Sequence, residues 1–391
     1  MNGIYIHIPF CKKVCYYCDF HFTVSFQQRD EILNAIIKEI DLRKDYLPSH
    51  RIETIYLGGG TPSVLHVDEI GKILNQIRKF FTTNDDAEIT LEANPDDLSE
   101  AYLRDLGNLG INRLSIGVQS FFDQDLQWMN RRHNADEAIR SIKISQDCGF
   151  HNLNVDLIYG IPGLTNERWL QNLDLFMTLN VPHLSAYHLS IEPKTVFGYY
   201  KRKGRLTEIG EDESLSHYEI LTVVMRSNQY QHYEISNFCK DGKIARHNTN
   251  YWKLGNYLGI GPSAHSFNGT SRQWNKAVNT SYIKALGKGE LCYEMEVLTE
   301  NDKFNDYLIT GLRTMWGIDK VEIKEKFGDL YLQHLEKELT KFDGMGYLQT
   351  SNDRIKLTES GMFVSDKIVA EIFYDKTSPP SPLLKRLCKN E

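Results

Sequence analysis

Gly3-Ile4-Tyr5-Ile6-His7-Ile8-Pro9-Phe10-Cys11-Lys12-Lys13-Val14-Cys15-Tyr16-Tyr17-Cys18 decides how the rest of the chain is read. Its first half is a short β-rich run ending at a proline, so the cysteines sit on a loop directly after a strand. Three thiols spaced C-x-x-x-C-x-x-C suit one compact metal centre. Spacing alone leaves two centres open. Tetrahedral zinc wants a fourth ligand, for which His21 is the nearest candidate. A four-iron cluster held by three cysteines leaves one iron open, where a small chelating ligand can bind and be reduced. The tyrosines and Phe20 are expected to wrap this loop in apolar bulk and limit water near it.

Outward from that loop, strand and helix patterns alternate. Residues 27–44 read as an amphipathic helix with Ile32, Leu33, Ile36, Ile37 and Ile40 on one face. A strand over 54–57 runs into Gly58-Gly59-Gly60-Thr61-Pro62, and the helix after it carries the stripe Ile70, Ile73, Leu74 and Ile77. Strands over 88–92, 113–118, 153–158 and 183–189 alternate with helices near 99–109, on either side of Arg132, and near 167–179. Six such repeats predict a parallel sheet, because each crossover helix returns the chain to the same edge. Six is too few for a closed eight-stranded barrel. The expectation is an open (β/α)6 partial TIM barrel over residues 1–200, with its functional groups at the C-terminal ends of the strands. Cys11 to Cys18, Gly58 to Thr61, Glu92, Gln119, Asp156 and Ser190 all fall there.

Residues 201–300 are charged and tyrosine-rich, and are expected to supply strands and loops that close the open side of the barrel. Residues 301–375 read as helices followed by a small hairpin around Gly346-Tyr347-Leu348 and Ile355-Lys356-Leu357, a winged-helix-like pattern. The Pro-rich tail, 376–391, is expected to be mobile. At 391 residues and a net charge of −7, the chain is large enough for two domains and lacks the charge of a dominant nucleic-acid surface. It has no run of eighteen apolar residues and no signal-peptide pattern, so a cytoplasmic protein is expected, with peripheral membrane contact still compatible. Seven cysteines, three clustered and the rest scattered, suit a reducing compartment and a metal centre rather than a disulfide framework.

Several rim residues carry two readings. Gly58 to Gly60 let a ligand approach the backbone, or merely make a tight strand-to-helix turn. Glu92 accepts hydrogen bonds from a ribose or ammonium group, or is a solvated strand-end carboxylate. His247, in His247-Asn248-Thr249-Asn250-Tyr251-Trp252, puts an imidazole beside large aromatics, fit either for a flat macrocycle or for packing. His265 and Cys239 are secondary candidates, and core packing is the default for His183 and His188.

Tyr5-Ile6-His7-Ile8-Pro9-Phe10-Cys11 with Cys15 and Cys18-Asp19-Phe20 resembles the radical S-adenosylmethionine (SAM) proteins. More narrowly, it resembles the group that contains oxygen-independent coproporphyrinogen III oxidase and its heme-chaperone relatives. The resemblance implies that Cys11, Cys15 and Cys18 hold a [4Fe-4S] cluster whose open iron is chelated by the amino and carboxylate groups of SAM. It places Tyr5, Tyr17, Gly59, Gly60, Thr61, Glu92, Gln119, Arg131, Asp156 and Ser190 at SAM-contacting positions. Of these, Tyr17, Gln119 and Arg131 correspond to a second SAM site of the oxidase; Arg131 and Asp156 could instead pair as structural charges. The stretch from His247 to Trp252 is a mark of the chaperones, in which the histidine is implicated in heme binding. Two departures from the oxidase decide between the relatives: Phe20 stands where it has a further cysteine, and only ten residues precede Cys11. The expected function is a heme chaperone with a SAM-binding [4Fe-4S] cluster that delivers heme to respiratory apoproteins, compatible with a homodimer. The alternatives are the oxidase of porphyrin biosynthesis and a zinc-stabilised binding module without redox chemistry.

Overall fold

The structure is a computed structural model and describes residues 1–374; the tail expected to be mobile lies outside the described residues. The alternation of aliphatic and polar positions forms β1 (Asn2–Ile8), β2 (Arg51–Gly59), β3 (Thr82–Ala93), β4 (Arg113–Gln119), β5 (Leu153–Tyr159) and β6 (His183–His188). These strands lie side by side in chain order and run parallel. Helices Arg29–Leu42, Val67–Phe80, Glu100–Asn108, Ala135–Asp147 and Asn166–Thr178 carry the chain back between them. The expected stripe Ile70, Ile73, Leu74 and Ile77 of the second helix is buried, and of the first Ile32, Leu33, Ile36 and Ile40 are, whereas Ile37 is only half-buried and Glu39 is buried on that helix.

Each strand buries both faces. Ile4, Ile6 and Ile8 of β1, Ile55 and Leu57 of β2, Leu114, Ile116 and Val118 of β4, and Val155 and Leu157 of β5 join the main apolar core. Each such side chain contributes roughly 1.5–3 kcal/mol by leaving water. The alternate positions are polar and buried too: Thr54, Glu88, Thr90, Arg113, Ser115, Asn154, His183 and Ser185. Ser115, Asn154, His183 and Ser185 bond one another, Glu88 accepts from the Arg246 and His247 N–H groups, Thr54 meets His247, and Thr90 Oγ1 has no partner. Asn154 Nδ2 donates to Ser115 Oγ (2.8 Å), and Ser185 Oγ donates to Asn154 Oδ1 (3.1 Å). The inner face of the barrel is therefore polar along its length, not only at its rim.

The strands of the middle segment extend both edges of the sheet. β7 (Gln231–Glu234) and β8 (Asn237–Cys239) add antiparallel beyond β6. β9 (Asn256–Ile260) instead pairs parallel with β1, on the side away from β2, and β10 (His265–Phe267), β11 (Ser271–Asn275) and β12 (Tyr293–Val297) continue antiparallel. The result is an open sheet of twelve strands. Beyond it, helices Glu300–Leu312, Lys320–Phe327 and Asp329–Leu339 accompany a small antiparallel sheet of β13 (Ile318–Asp319), β14 (Leu348–Ser351) and β15 (Arg354–Leu357), a winged-helix-like arrangement. A buried ion pair, Arg272 with Asp306, ties β11 to the first of these helices.

Candidate functional site

The cysteine loop leaves the C-terminal end of β1 and is fastened from several directions. The Cys11 N–H donates to the Thr23 carbonyl (3.0 Å), the Tyr16 N–H to Met129 (3.1 Å), and the Asn130 side chain to the Val14 carbonyl (2.7 Å). Tyr16 packs edge-on against Phe197 and Tyr200, with centroids 5.8 and 6.0 Å away. Apolar cover thus comes from the helix Val196–Arg202. Phe20, expected to share in it, is 57% exposed.

Cys11 is buried, Cys15 and Cys18 are half-buried, and all three are free thiols. Burial pushes the Cys11 thiol up to about 11 and the Cys18 thiol up to about 12, and the neighbouring sulfurs push in the same direction. Thr61 Oγ1 donates to Cys11 Sγ, and an Arg131 nitrogen donates to Cys15 Sγ, each at 3.3 Å. Desolvated thiols that gain charge only at a cost fit a metal centre, whose positive charge offsets that cost as the protons leave. His21, the candidate fourth zinc ligand, is turned away: its Nε2 lies 2.7 Å from Asn279 Oδ1. Among the described residues no three His, Cys, Asp or Glu side chains are grouped as ligands of a single ion. Three thiols spread over one loop suit a cluster, in which each thiolate binds a different iron.

Beside the loop, Gly59 adopts φ +110°, and a Cβ there would stand 2.5 Å from the His7 ring. A Cβ on Gly60 would meet the Phe10 carbonyl at 2.8 Å. The glycines are thus required by the packing of β2 on the cysteine loop, whatever else approaches them. Glu92 is not a solvated carboxylate. Tyr56 OH donates to its Oε1 (2.8 Å) and the Gly59 N–H to its Oε2 (2.9 Å). Burial nevertheless raises it to about 7, with the Asp156 charge adding to the effect. Tyr56 was not singled out by sequence, although the alternation of Thr54 and Tyr56 with Ile55 and Leu57 marks it as facing inward.

Asp156 accepts from Asn154 Nδ2 (2.6 Å) and Ser115 Oγ, and burial raises its carboxyl. Arg131 is occupied elsewhere, by Cys15 Sγ, Tyr17 OH, the Gly117 carbonyl and Asn94 Oδ1. The two do not pair as structural charges. Gln119 is buried at the end of β4 with φ +69°, where a bulge shifts the register against β5. Ser190 is half-buried just beyond β6. Tyr5 stacks on Tyr56 in the next strand, centroids 6.0 Å apart, and its hydroxyl lies 3.1 Å from His7 Nδ1. Asn94, bonded to both Thr61 Oγ1 (3.5 Å) and Arg131 (2.8 Å), joins the Cys11–Thr61 pair to the Arg131–Cys15–Tyr17 group, and Glu92 holds Gly59, two residues before Thr61.

His247 lies elsewhere, in the helix Arg246–Trp252, and is 1% exposed. Its Nδ1 is 2.8 Å from Thr54 Oγ1 and its Nε2 is 2.7 Å from Tyr251 OH, so both ring nitrogens are engaged. The ring stacks on Tyr56 at 5.1 Å, and burial, with Arg113 adding to it, pushes its pKa down to about 3. In this position it is a neutral brace between the helix and the inner face of the barrel. The geometry does not support it as an axial ligand for heme iron. Of the secondary candidates, Cys239 is buried in β8 and His265 is half-buried, stacked on Trp274 at 6.1 Å. His183 is a core residue between Asn154 and Tyr233, and His188 is half-buried against Ser214.

Comparison with known proteins agrees with this architecture. The family model described as the radical SAM superfamily matches residues 5–176, and one described as the HemN C-terminal domain matches residues 298–364. The chain is 34% identical over 376 residues to the heme chaperone HemW of Bacillus subtilis, covering 94% of this chain and 98% of that protein. It is 32% identical over 375 residues to the heme chaperone HemW of Escherichia coli, covering 95% and 97% respectively. The solved structure of coproporphyrinogen III oxidase (HemN) from Escherichia coli, titled a radical SAM enzyme, superposes with a TM-score of 0.83. It covers 95% of this chain and 90% of that one at 24% identity, a likeness of fold. The chain belongs to the radical SAM superfamily and, within it, to the HemW family.

Proposed function

We propose that this protein is a heme chaperone that binds heme, passes it to heme-requiring respiratory apoproteins, and carries a SAM-binding [4Fe-4S] cluster. The observation that carries this reading is the near-full-length likeness to relatives named heme chaperone, in a chain that carries the three-thiol loop. Cys11, Cys15 and Cys18 would hold the cluster, and Gly59, Gly60, Thr61 and Glu92 would line the approach of SAM. Tyr5, Tyr17, Gln119, Asp156 and Ser190 complete the proposed SAM surroundings. A four-iron cluster supplies an electron and an open iron at this loop. The chain's own part is to exclude water with Tyr16, Phe197 and Tyr200, and to present a desolvated carboxyl at Glu92 that accepts hydrogen bonds from a cationic or hydroxyl-bearing ligand.

Anaerobic purification followed by a heme titration with and without reconstituted cluster tests the reading. Brown protein with about four irons per chain that binds heme stoichiometrically is expected. Colourless protein holding zinc returns the loop to a structural clip. Decarboxylation of coproporphyrinogen coupled to SAM consumption replaces the chaperone by the oxidase.

A further inference from the structure

We propose that Arg131 is a positioning residue for the iron–sulfur centre, acting on the sulfur of Cys15 rather than on SAM; this rests on the cluster reading above. Arg131 follows the helix Asp123–Trp128 at a turn where Asn130 takes φ +60°, and this reversal sends its side chain back to the cysteine loop. One terminal nitrogen donates to Cys15 Sγ (3.3 Å) and Tyr17 OH (3.4 Å). The other donates to the Gly117 carbonyl (2.6 Å) and Asn94 Oδ1 (2.8 Å). Four acceptors from three separate parts of the chain fix the plane of the guanidinium. Gly117 lacks a side chain where a Cβ would stand 3.3 Å from one of these nitrogens and 2.9 Å from Gln119 Nε2. These four acceptors take the hydrogens of both terminal nitrogens, while Nε is buried without a partner.

A fixed cation that donates to a ligating sulfur draws electron density from it and favours the more negative, reduced cluster, which raises the reduction potential. The same contacts join residue 131 to residues 15 and 17, so the group that tunes the sulfur also holds its loop. An arginine is suited to this because its planar fork serves several acceptors at once while keeping its charge.

The test uses the full chain, reconstituted anaerobically without SAM, and reads iron per chain, the cluster midpoint potential by a reductive titration followed by electron paramagnetic resonance, and SAM affinity. Arg131→Met is expected to bind iron at the parental ratio with a more negative midpoint, and Arg131→Lys to fall between. SAM affinity is expected to change less than twofold. An iron-replete Arg131→Met with an unmoved midpoint, or one whose only change is a tenfold or larger loss of SAM affinity, overturns the proposal. Should Arg131→Met fail to hold a cluster, Asn94→Ala keeps the guanidinium but removes one anchor. It is expected to shift the midpoint in the same direction by less, and no shift there also overturns the proposal. A parent chain that binds no iron sinks the cluster reading itself, which separates the two failures.

Discussion

Replacing Glu92 with glutamine asks whether the inner face of the barrel is dry enough to hold a carboxyl near neutrality. Burial raises this group from 4.5 to about 7 even though Tyr56 and the Gly59 N–H both favour the ionised form. At about 1.4 kcal/mol per pH unit, ionising it in the folded chain costs about 3 kcal/mol. The folded value lies above the unfolded one, so the folded state binds the proton more tightly. That contribution to stability is complete below pH 4.5 and is lost as the pH rises to about 7. The substituted amide retains an acceptor for the Gly59 N–H and has no proton to lose. The variant should therefore match the parent, or fall slightly below it, near pH 4.5, and exceed it above about pH 7.5. With an unfolding entropy of about 2.1 cal/mol/K per residue over 391 residues, the gain at high pH is about 4 °C in Tm. Calorimetry of the metal-free chain at a series of pH values reads it directly. Two melting curves that stay parallel from acid to neutral pH would refute the assignment of a desolvated carboxyl at this position.

The same substitution should weaken SAM binding by roughly tenfold to a hundredfold, since a hydrogen bond to a charged group contributes about 1.5–3 kcal/mol; unchanged affinity in equilibrium dialysis removes Glu92 from the SAM surroundings. His247→Ala leaves Thr54 Oγ1 and Tyr251 OH without their partner and opens a cavity against Tyr56, for an expected loss of about 3–5 kcal/mol in denaturant unfolding. If that variant unfolds like the parent yet loses heme, the histidine is a ligand and not a brace. Gly59→Ala adds a Cβ 2.5 Å from the His7 ring at φ +110°, so cluster reconstitution should fail or slow markedly, read as iron bound per chain. Asp306→Ala removes one of the two carboxylates on the buried Arg272 and leaves Glu296 at 3.2 Å, so it should cost about 1.5–3 kcal/mol in denaturant unfolding; an unchanged midpoint would show that Glu296 alone suffices.

Much of this arrangement is legible in the residues. The i, i+3, i+4 stripes of the helices and the short aliphatic strands give six β/α units. Their order follows because crossovers of this length permit only a parallel neighbour. The cysteine loop, Gly59 and Glu92 come to one rim for the same reason. What the pattern does not carry is the choice of distant partners. Nothing in Asn256–Ile260 marks it as a parallel neighbour of β1, since a five-residue apolar strand has the same pattern in either orientation. Nor does the spacing of His247 to Trp252 say that the imidazole points into the barrel; that depends on Gly3, where a Cβ would stand 3.1 Å from the ring. Phe20 misleads because an aromatic next to a cysteine loop is read as cover, whereas Tyr16 is the ring that packs against Phe197 and Tyr200. Arg131 could be assigned to a ligand or to Asp156 from sequence, and only the turn at Asn130 decides which acceptors it reaches.

The strand that bears the cysteine loop is flanked by residues made early and residues made late. On one side β1 pairs with β2, finished by residue 59; on the other it waits for β9, which ends at residue 260. During synthesis the loop therefore hangs from a sheet margin for most of translation, its unpaired backbone open to water and to other nascent chains. Only when some two hundred further residues have emerged does that margin become an interior position. A ribosome stalled before residue 256 of 391 therefore holds three thiols on an unfinished seam.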